Sequence, residues 1–287
     1  MSDGGPELRL DPLTREWVAI VGARQDRPNR PTEGCPFCVG GLEAPEPYQV
    51  KAFPIRWPPF APGRGAAEVV LYSPDHDASL ASIGVEGARR VVDLWAERTE
   101  ALLARPGIES VLVFENRGAE VGATIPHPHG QIYAFPFVPP VLRREAEVAA
   151  AHGCPLCDEV PREATAGERV VFDDGDWLAW VPYASGYPYG LLLAPRSHRT
   201  GLPELDGNAR DGLAAALVDV LARYDRLFAA PFPYLLWVHQ GGHVHVHLAP
   251  PLRDAGVARF IASGEAGSGT LSNPVVPETA AARLREA

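Results

Sequence analysis

The chain has 287 residues, of which 46% are hydrophobic and 22% charged, so it is long enough for two ordinary domains with real cores. Its net charge of −10 argues against broad nucleic-acid binding, and no apolar run reaches the length of a membrane span. The first residues, Met-Ser-Asp-Gly-Gly, contain no apolar signal stretch. We therefore expect a cytoplasmic protein that binds neither nucleic acid nor membrane.

The predicted elements form two similar series along the chain. Apolar residues at helical spacing predict one long helix in each half, and short apolar runs predict the strands. In the first half the predicted elements are strands at 17–21 and 68–72, a helix at 85–104 and a strand at 110–115. In the second half they are strands at 169–172, 177–181 and 191–194, a helix at 209–228 and a strand at 234–239.

Cysteine and histidine landmarks repeat in the same order in both halves. All four cysteines lie in two Cys-x-x-Cys pairs, and each pair is followed by a lone histidine and then by a His-x-His segment that begins at His127 or His243. Three kinds of landmark in one order predict two copies of one α+β unit related by a pseudo-twofold repeat, each an antiparallel sheet with a helix. We place the two domains at residues 1–150 and 151–287.

The Cys-x-x-Cys pairs indicate metal sites. In a protein without a secretory signal such a pair is a metal knuckle or a redox dithiol, and we expect each pair here in a Gly/Pro loop, which favours zinc. Zinc prefers two cysteines and two histidines in this arrangement. The first predicted site is Cys35, Cys38, His76 and His127. The second is Cys154, Cys157, His198 and His243, with His152 as an alternative ligand.

The segment His127-Pro128-His129-Gly130-Gln131 is the most informative stretch of the chain. Two histidines two apart on an extended segment point to the same face. If His127 binds the metal, His129 is left outside the metal site, and an imidazole is a good nucleophile at neutral pH. This pattern indicates a nucleophile for an electrophile such as phosphorus. The alternative is a pair of surface histidines in a Pro/Gly loop.

A longer string resembles a known family. Phe114-Glu115-Asn116-Arg117-Gly118, with Gly122, Thr124 and the His127–Gln131 segment, is similar to the galactose-1-phosphate uridylyltransferases of the histidine-triad superfamily. Shorter matches include Arg27-x-x-Arg30-Pro31 and Ser73-Pro-Asp-His76. The resemblance implies two tandem histidine-triad-like domains, a homodimer and a double displacement. In that reaction UDP-glucose gives its uridylyl group to an enzyme histidine, glucose 1-phosphate leaves, and galactose 1-phosphate collects the nucleotide.

The resemblance also implies roles for individual residues. His129 forms the covalent intermediate, with its other ring nitrogen donating to a backbone carbonyl. Gln131 stands where a hydrolase of the superfamily has a histidine, and an amide holds a phosphoryl oxygen without activating water. The residues implied to bind the UDP-sugar or the hexose 1-phosphate are Arg27, Arg30, Asn116, Gly122, Thr124, Gln131, Arg259, Phe260 and Glu265.

A further metal site and several departures follow from the same comparison of motifs. The resemblance implies a site for iron or another zinc made of Glu145, His239, His245 and His247. Ile55 stands where the family often has an Asn, and Gly264 and Leu271 replace a Tyr and a Gln that touch the hexose. These departures leave open a nucleotide-sugar or dinucleotide phosphorylase, such as an ADP-glucose phosphorylase. An alternative of another class is a non-catalytic, zinc-stabilised nucleotide-binding protein.

Overall fold

The computed structural model describes residues 5–22 and 34–287. The helices of this part of the chain are α1 (Gly84–Leu103), α2 (Pro140–His152), α3 (Pro155–Ala166), α4 (Gly207–Leu227), α5 (Ser263–Ser268) and α6 (Pro277–Glu286). The strands of the first half are β1 (Glu7–Leu10), β2 (Trp17–Ile20), β3 (Lys51–Pro54), β4 (Ala66–Leu71), β5 (Ser110–Arg117) and β6 (His129–Phe135). Those of the second half are β7 (Val170–Asp173), β8 (Trp177–Trp180), β9 (Leu191–Pro195), β10 (Tyr234–His239), β11 (His245–Ala249), β12 (Leu252–Asp254) and β13 (Val257–Ala258). None of the described helices is long and apolar enough to cross a membrane.

One antiparallel sheet contains both copies of the repeat. Its nine strands follow the order β3-β4-β6-β5-β10-β11-β9-β8-β7. We call β3–β6 with α1 unit one and β7–β11 with α4 unit two. The order reads the same outward from the central β5–β10 pair, apart from the extra β7, so the predicted α+β fold with a pseudo-twofold repeat is confirmed. The sequence did not reveal that the two sheets join edge to edge.

The two long helices cover one face of this sheet and pack against each other. Buried residues recur at three- and four-residue spacing on both helices, including Val91, Trp95 and Leu102 on α1 and Leu217 and Leu221 on α4. They share one core with the inward side chains of β4, β5, β6, β10 and β11. Since this core crosses the join between the units, each unit stabilises the other.

The opposite face of the sheet differs between the units. In unit two α3 covers it, where Val160 packs on Leu178, Trp180 and Leu192. Strands β8 and β9 are accordingly buried on both sides. In unit one β5 and β6 alternate between buried and half-buried residues. Because of this alternation, the side chain of His129 lies on the face of the sheet opposite α1 and α4.

The predicted strand at 17–21 forms as β2, which pairs with β1 in a separate two-stranded sheet and has exposed side chains. One local expectation needs correction. The expectation that each Cys-x-x-Cys pair lies in a loop is wrong for the second pair, because Cys154 caps α3 and Cys157 lies within it. Pro155 suits the first helical turn, and Gly153 at φ 81° separates α3 from α2. The preceding element is thus a helix and not the strand of a thioredoxin-like motif.

Candidate functional site

The first Cys/His cluster brings together the four residues predicted for it. The sulfur and nitrogen atoms of Cys35, Cys38, His76 and His127 all lie within 4.8 Å of one another. Cys38 Sγ is 3.4 Å from His76 Nδ1 and 3.7 Å from His127 Nδ1. A tetrahedral zinc with ordinary bond lengths to sulfur and nitrogen holds such atoms about 3.5 Å apart. The residues present therefore fit zinc.

The surroundings of this cluster orient its ligands. His127 is buried and its Nε2–H donates to the carbonyl of Ser73 at 2.8 Å, which turns Nδ1 toward the cysteines. Tyr48 Oη lies 2.9 Å from the same Nε2 and donates to the carbonyl of Phe37 at 2.7 Å. The turn closes around Gly41, where a Cβ atom would lie 2.6 Å from the Cys35 carbonyl. Only glycine fits there.

Burial sets the protonation of the ligands in the expected direction. Desolvation lowers the pKa of His127, so its imidazole is neutral at neutral pH, as a metal ligand must be. Desolvation and the neighbouring Cys35 raise the pKa of the Cys38 thiol. A zinc ion held by these cysteines would therefore displace their protons on binding.

His129 begins β6 and lies at the wall of a cleft of about 620 Å³. Its Nδ1–H donates to the carbonyl of His127 at 2.7 Å, which fixes the tautomer with the lone pair on Nε2. The ring of Phe37, which lies between the cysteines of the knuckle, packs edge-on against His129 with centroids 5.0 Å apart. The Cys35–Cys38 turn and the His129 imidazole therefore pack directly against each other.

The structure brings some of the predicted substrate-binding residues into this cleft. Asn116 and Thr124 line it together with His129. Gln131 follows His129 on the same face of β6 but does not line the cleft, and neither does Gly122, which ends the short 3-10 turn at Ala119–Val121. The predicted phosphate-binding Arg27 and Arg30 lie outside the described residues.

The second Cys/His cluster repeats the geometry of the first. Cys154, Cys157, His198 and His243 form the group, and His152 is not part of it. Cys157 Sγ is 3.4 Å from His198 Nδ1 and 3.6 Å from His243 Nδ1. The Nε2–H of His243 donates to the carbonyl of Pro195 at 2.9 Å, as His127 does to Ser73. The fit to a tetrahedral zinc is the same.

A third cluster occupies the place in unit two that corresponds to His129 and Gln131 in unit one. It contains Glu145, His239, His245 and His247. The Nδ1–H of His245 donates to the carbonyl of His243 at 2.7 Å, in the same way that His129 bonds to His127. His239 Nδ1 lies 2.9 Å from Glu145 Oε1. Desolvation lowers the pKa of His245 to about 4, so its imidazole is neutral at neutral pH. Imidazole and carboxylate groups suit a first-row metal.

The three predicted residues of the C-terminal segment lie away from the cleft of their own chain. Arg259 is buried and pairs with Glu265, and its guanidinium stacks over the ring of Tyr187. Glu265 also accepts from the backbone N–H groups of Ala262 and Ser272 at 3.0 and 2.7 Å. Phe260 between these anchors is 82% exposed. The Arg259–Glu265 pair therefore holds in place a loop whose Phe260 ring is exposed.

Sequence reasoning missed two residues of the site, Tyr48 and Phe37, which lie against His127 and His129. Glu115 and Arg117, on either side of Asn116, were part of the family string but were given no role. Phe37 could have been found from its place inside the Cys-x-x-Cys pair. Tyr48 gave no signal, because its contacts join residues far apart in sequence.

Known families and relatives match this chain over nearly its whole length. The N-terminal domain family of galactose-1-phosphate uridyl transferase matches residues 51–139, and the C-terminal domain family matches residues 143–287. A galactose-1-phosphate uridylyltransferase of Thermotoga maritima is 38% identical over 315 aligned positions, which cover 98% of each chain.

Two solved structures share the fold over nearly their full lengths. A uridylyltransferase is 28% identical with a TM-score of 0.88, covering 98% of this chain and 97% of that one. An ADP-glucose phosphorylase from Arabidopsis thaliana with bound ADP-glucose is 25% identical with a TM-score of 0.77, covering 99% of each chain.

Proposed function

Because this chain belongs to the galactose-1-phosphate uridylyltransferase family, we propose that its residues carry out the family reaction through a covalent uridylyl adduct on His129. The reaction exchanges UMP between UDP-glucose and galactose 1-phosphate in galactose metabolism. The observation that carries the assignment to His129 is its Nδ1–H bond to the His127 carbonyl, at the wall of the cleft that Asn116 and Thr124 share.

The chemistry follows from that bond. His129 Nε2 attacks the α-phosphorus of UDP-glucose, an N–P bond forms, the P–O bond to glucose 1-phosphate breaks, and the sugar phosphate leaves. The Nδ1–H remains on the ring, and the His127 carbonyl that accepts it stabilises the positive charge that develops on the imidazole. A phosphate oxygen of galactose 1-phosphate then attacks the same phosphorus, the N–P bond breaks, and UDP-galactose leaves.

The residues around His129 supply binding without supplying a base for water. Asn116 and Thr124 place neutral hydrogen-bonding groups in the cleft. Gln131 lies two residues after His129 on the same face of β6 and offers its amide to a phosphoryl oxygen. We assign the electrostatic attraction for the diphosphate to Arg27 and Arg30, since arginine binds phosphate with two parallel hydrogen bonds and a protein with a net charge of −10 needs such charge locally.

We assign structural zinc to both Cys/His clusters. The Sγ–Nδ1 separations of 3.4 to 3.7 Å in the two clusters support this assignment. Bound there, zinc supplies a rigid cross-link and no reaction step, and Cys35, Cys38, His76 and His127 hold the His127–Gln131 segment in place. Cys154, Cys157, His198 and His243 do the same for α3 and the start of β11.

The third cluster takes iron or a further zinc in this proposal. One carboxylate and three imidazoles are a ligand set that both metals accept. Glu145 comes from α2, so a metal bound there fixes that helix on the sheet of unit two. The proposed domains, residues 1–150 and 151–287, meet within the last turn of α2. The boundary separates the two copies of the repeat rather than two independent cores.

A second copy of this chain is proposed to complete the cleft. Arg259, Phe260 and Glu265 correspond to residues implied to bind the hexose, yet they lie outside the cleft of their own chain. Their braced loop with its 82% exposed Phe260 fits a contribution to the cleft of a partner in a homodimer. The cytoplasmic location expected from the sequence stays a prediction, which fractionation of expressing cells tests.

A phosphorylase is the second candidate, because the ADP-glucose phosphorylase has the same fold at 25% identity and Leu271 here packs against Gly186 without offering a polar group. The two functions differ in the acceptor, and an ADP-glucose phosphorylase differs also in the nucleotide of its donor. Incubation with UDP-glucose alone should release about one glucose 1-phosphate per chain, and galactose 1-phosphate should then discharge the adduct. If inorganic phosphate discharges it much faster than galactose 1-phosphate does, the protein is a phosphorylase. If neither UDP-glucose nor ADP-glucose gives an adduct or releases glucose 1-phosphate, the non-catalytic nucleotide-binding alternative holds.

A further inference from the structure

The loop at residues 118–124 lies between β5 and the segment that carries His129. We call it the phosphate loop. It closes on its own first residue, since the carbonyl of Gly118 accepts from the N–H groups of Val121 and Ala123 at 3.3 and 3.1 Å. The position of the whole loop is therefore set by the position of Gly118.

Gly118 rests on unit two. Its φ is 99°, a value that residues other than glycine rarely adopt, and a Cβ atom would lie 2.8 Å from the side chain of Pro233. Pro233 directly precedes β10. The first residue of the loop thus contacts the other copy of the repeat, at the central join of the sheet.

The residue before Gly118 makes a second, stronger link to unit two. Arg117 donates from Nη1 and Nη2 to the two carboxylate oxygens of Asp225 at 2.7 and 3.1 Å. Asp225 lies on α4, and its Oδ1 also accepts from the backbone N–H of Phe232 at 2.9 Å. The Arg117 guanidinium stacks over the ring of Tyr234, 5.7 Å from its centroid. One carboxylate therefore joins α4, the segment before β10 and the end of β5.

We propose that Asp225 is a positioning residue for uridylyl transfer: it fixes Arg117, and with it the phosphate loop, against the cleft that contains His129. This inference rests on the proposed function. The side chains of Arg117 and Asp225 are only 19% and 31% exposed, so solvent weakens the pair less than a surface pair. Unit two thereby acts on the reaction although its own histidines take no part in it.

The magnitude follows from geometry rather than from charge. Displacing reacting groups by about 1 Å can lower a rate by about 100-fold. Without the carboxylate the loop keeps its contact with Pro233, so we expect a partial displacement and a loss of about tenfold. A displaced loop keeps its hydrogen-bonding groups in the cleft but misaligns them with His129, so the loss should be larger in kcat than in KM.

The test compares Asp225→Asn with Asp219→Asn. Asp219 is a matched control, because it lies on the same helix and is 32% exposed. It accepts a hydrogen bond from Arg223 at a distance of 2.6 Å, and neither residue lines the cleft. For Asp225→Asn we expect adduct formation from UDP-glucose to slow about tenfold while the final adduct stays near one per chain. The control should keep the wild-type rate, and Asp225→Glu should recover part of the loss. Arg117→Gln should be equally slow, and the double variant no slower than either single one.

Two outcomes would overturn the proposal. One is an Asp225→Asn protein as fast as the control. The other is a slow protein whose final adduct falls well below one per chain and whose melting temperature also falls. That pattern reports a loss of folded enzyme rather than misplacement of the loop. Failure of the proposed function is distinct, since the wild type and the control would then form no adduct.

Discussion

Replacing Glu115 by Gln should change how stability depends on pH. Glu115 is 4% exposed in the core behind the cleft, where Tyr234 donates to its Oε1 at 3.1 Å. Its Oε2 has no hydrogen-bond partner among the described residues. Burial raises the pKa of Glu115 from its ordinary 4.5 to about 7, against smaller opposing effects of Tyr234 and Arg117.

The sign follows from proton linkage. The folded state holds the proton of Glu115 more tightly than the unfolded state does, so the stabilising contribution is complete below pH 4.5 and is lost as the pH rises to about 7. A shift of this size corresponds to about 3 kcal/mol in the free energy of unfolding. About 2 kcal/mol of that change falls between pH 5.5 and 8.

The assay is urea unfolding of the wild type and Glu115→Gln at several pH values from 5.5 to 8. The amide cannot ionise, so the free energy of unfolding of the variant should rise relative to the wild type by about 2 kcal/mol across this range. Glu278→Gln is the control, because hydrogen bonding to Arg169 lowers the pKa of Glu278 and no such gain is expected. A wild-type minus variant difference that is flat with pH would refute the assignment of a raised pKa.

Three further predictions concern the metals and the dimer. Cys38→Ser should lower both zinc content and melting temperature, since losing a ligand removes folding energy; unchanged zinc stoichiometry would exclude the first pair as ligands. Cys157→Ser should lower the metal content by one ion per chain relative to the wild type, while adduct formation persists. A wild type with one metal per chain, and the same content in Cys157→Ser, would contradict the second site. Phe260→Asp should weaken the dimer in sedimentation and slow the exchange with the fold intact; a dimer of wild-type strength argues against this contact.

The repeat could be predicted because its landmarks are local. The helices at 85–104 and 209–228 were placed within two residues of α1 and α4, since apolar spacing along one helix does not depend on its partners. The residues that spacing and resemblance grouped as three metal sites also lie together in the structure.

Features that depend on long-range packing were not predictable. The join of β5 to β10 is made by backbone pairing, such as Val113 with Val238, and backbone pairing leaves no mark in the sequence. Arg117 and Asp225 are 108 residues apart, and neither local sequence indicates that the two side chains pair. Helix α3 was missed because Pro161 lies inside it and the Cys-x-x-Cys pair reads as a loop.

The most direct measurement of the central claim is the intact mass of the protein after incubation with UDP-glucose. The wild type should gain one uridylyl group per chain, and galactose 1-phosphate should remove it as UDP-galactose. His129→Gly should gain none, while His152→Gly, which alters an exposed histidine outside all three clusters, should behave as the wild type. A full-strength adduct on His129→Gly would contradict the account.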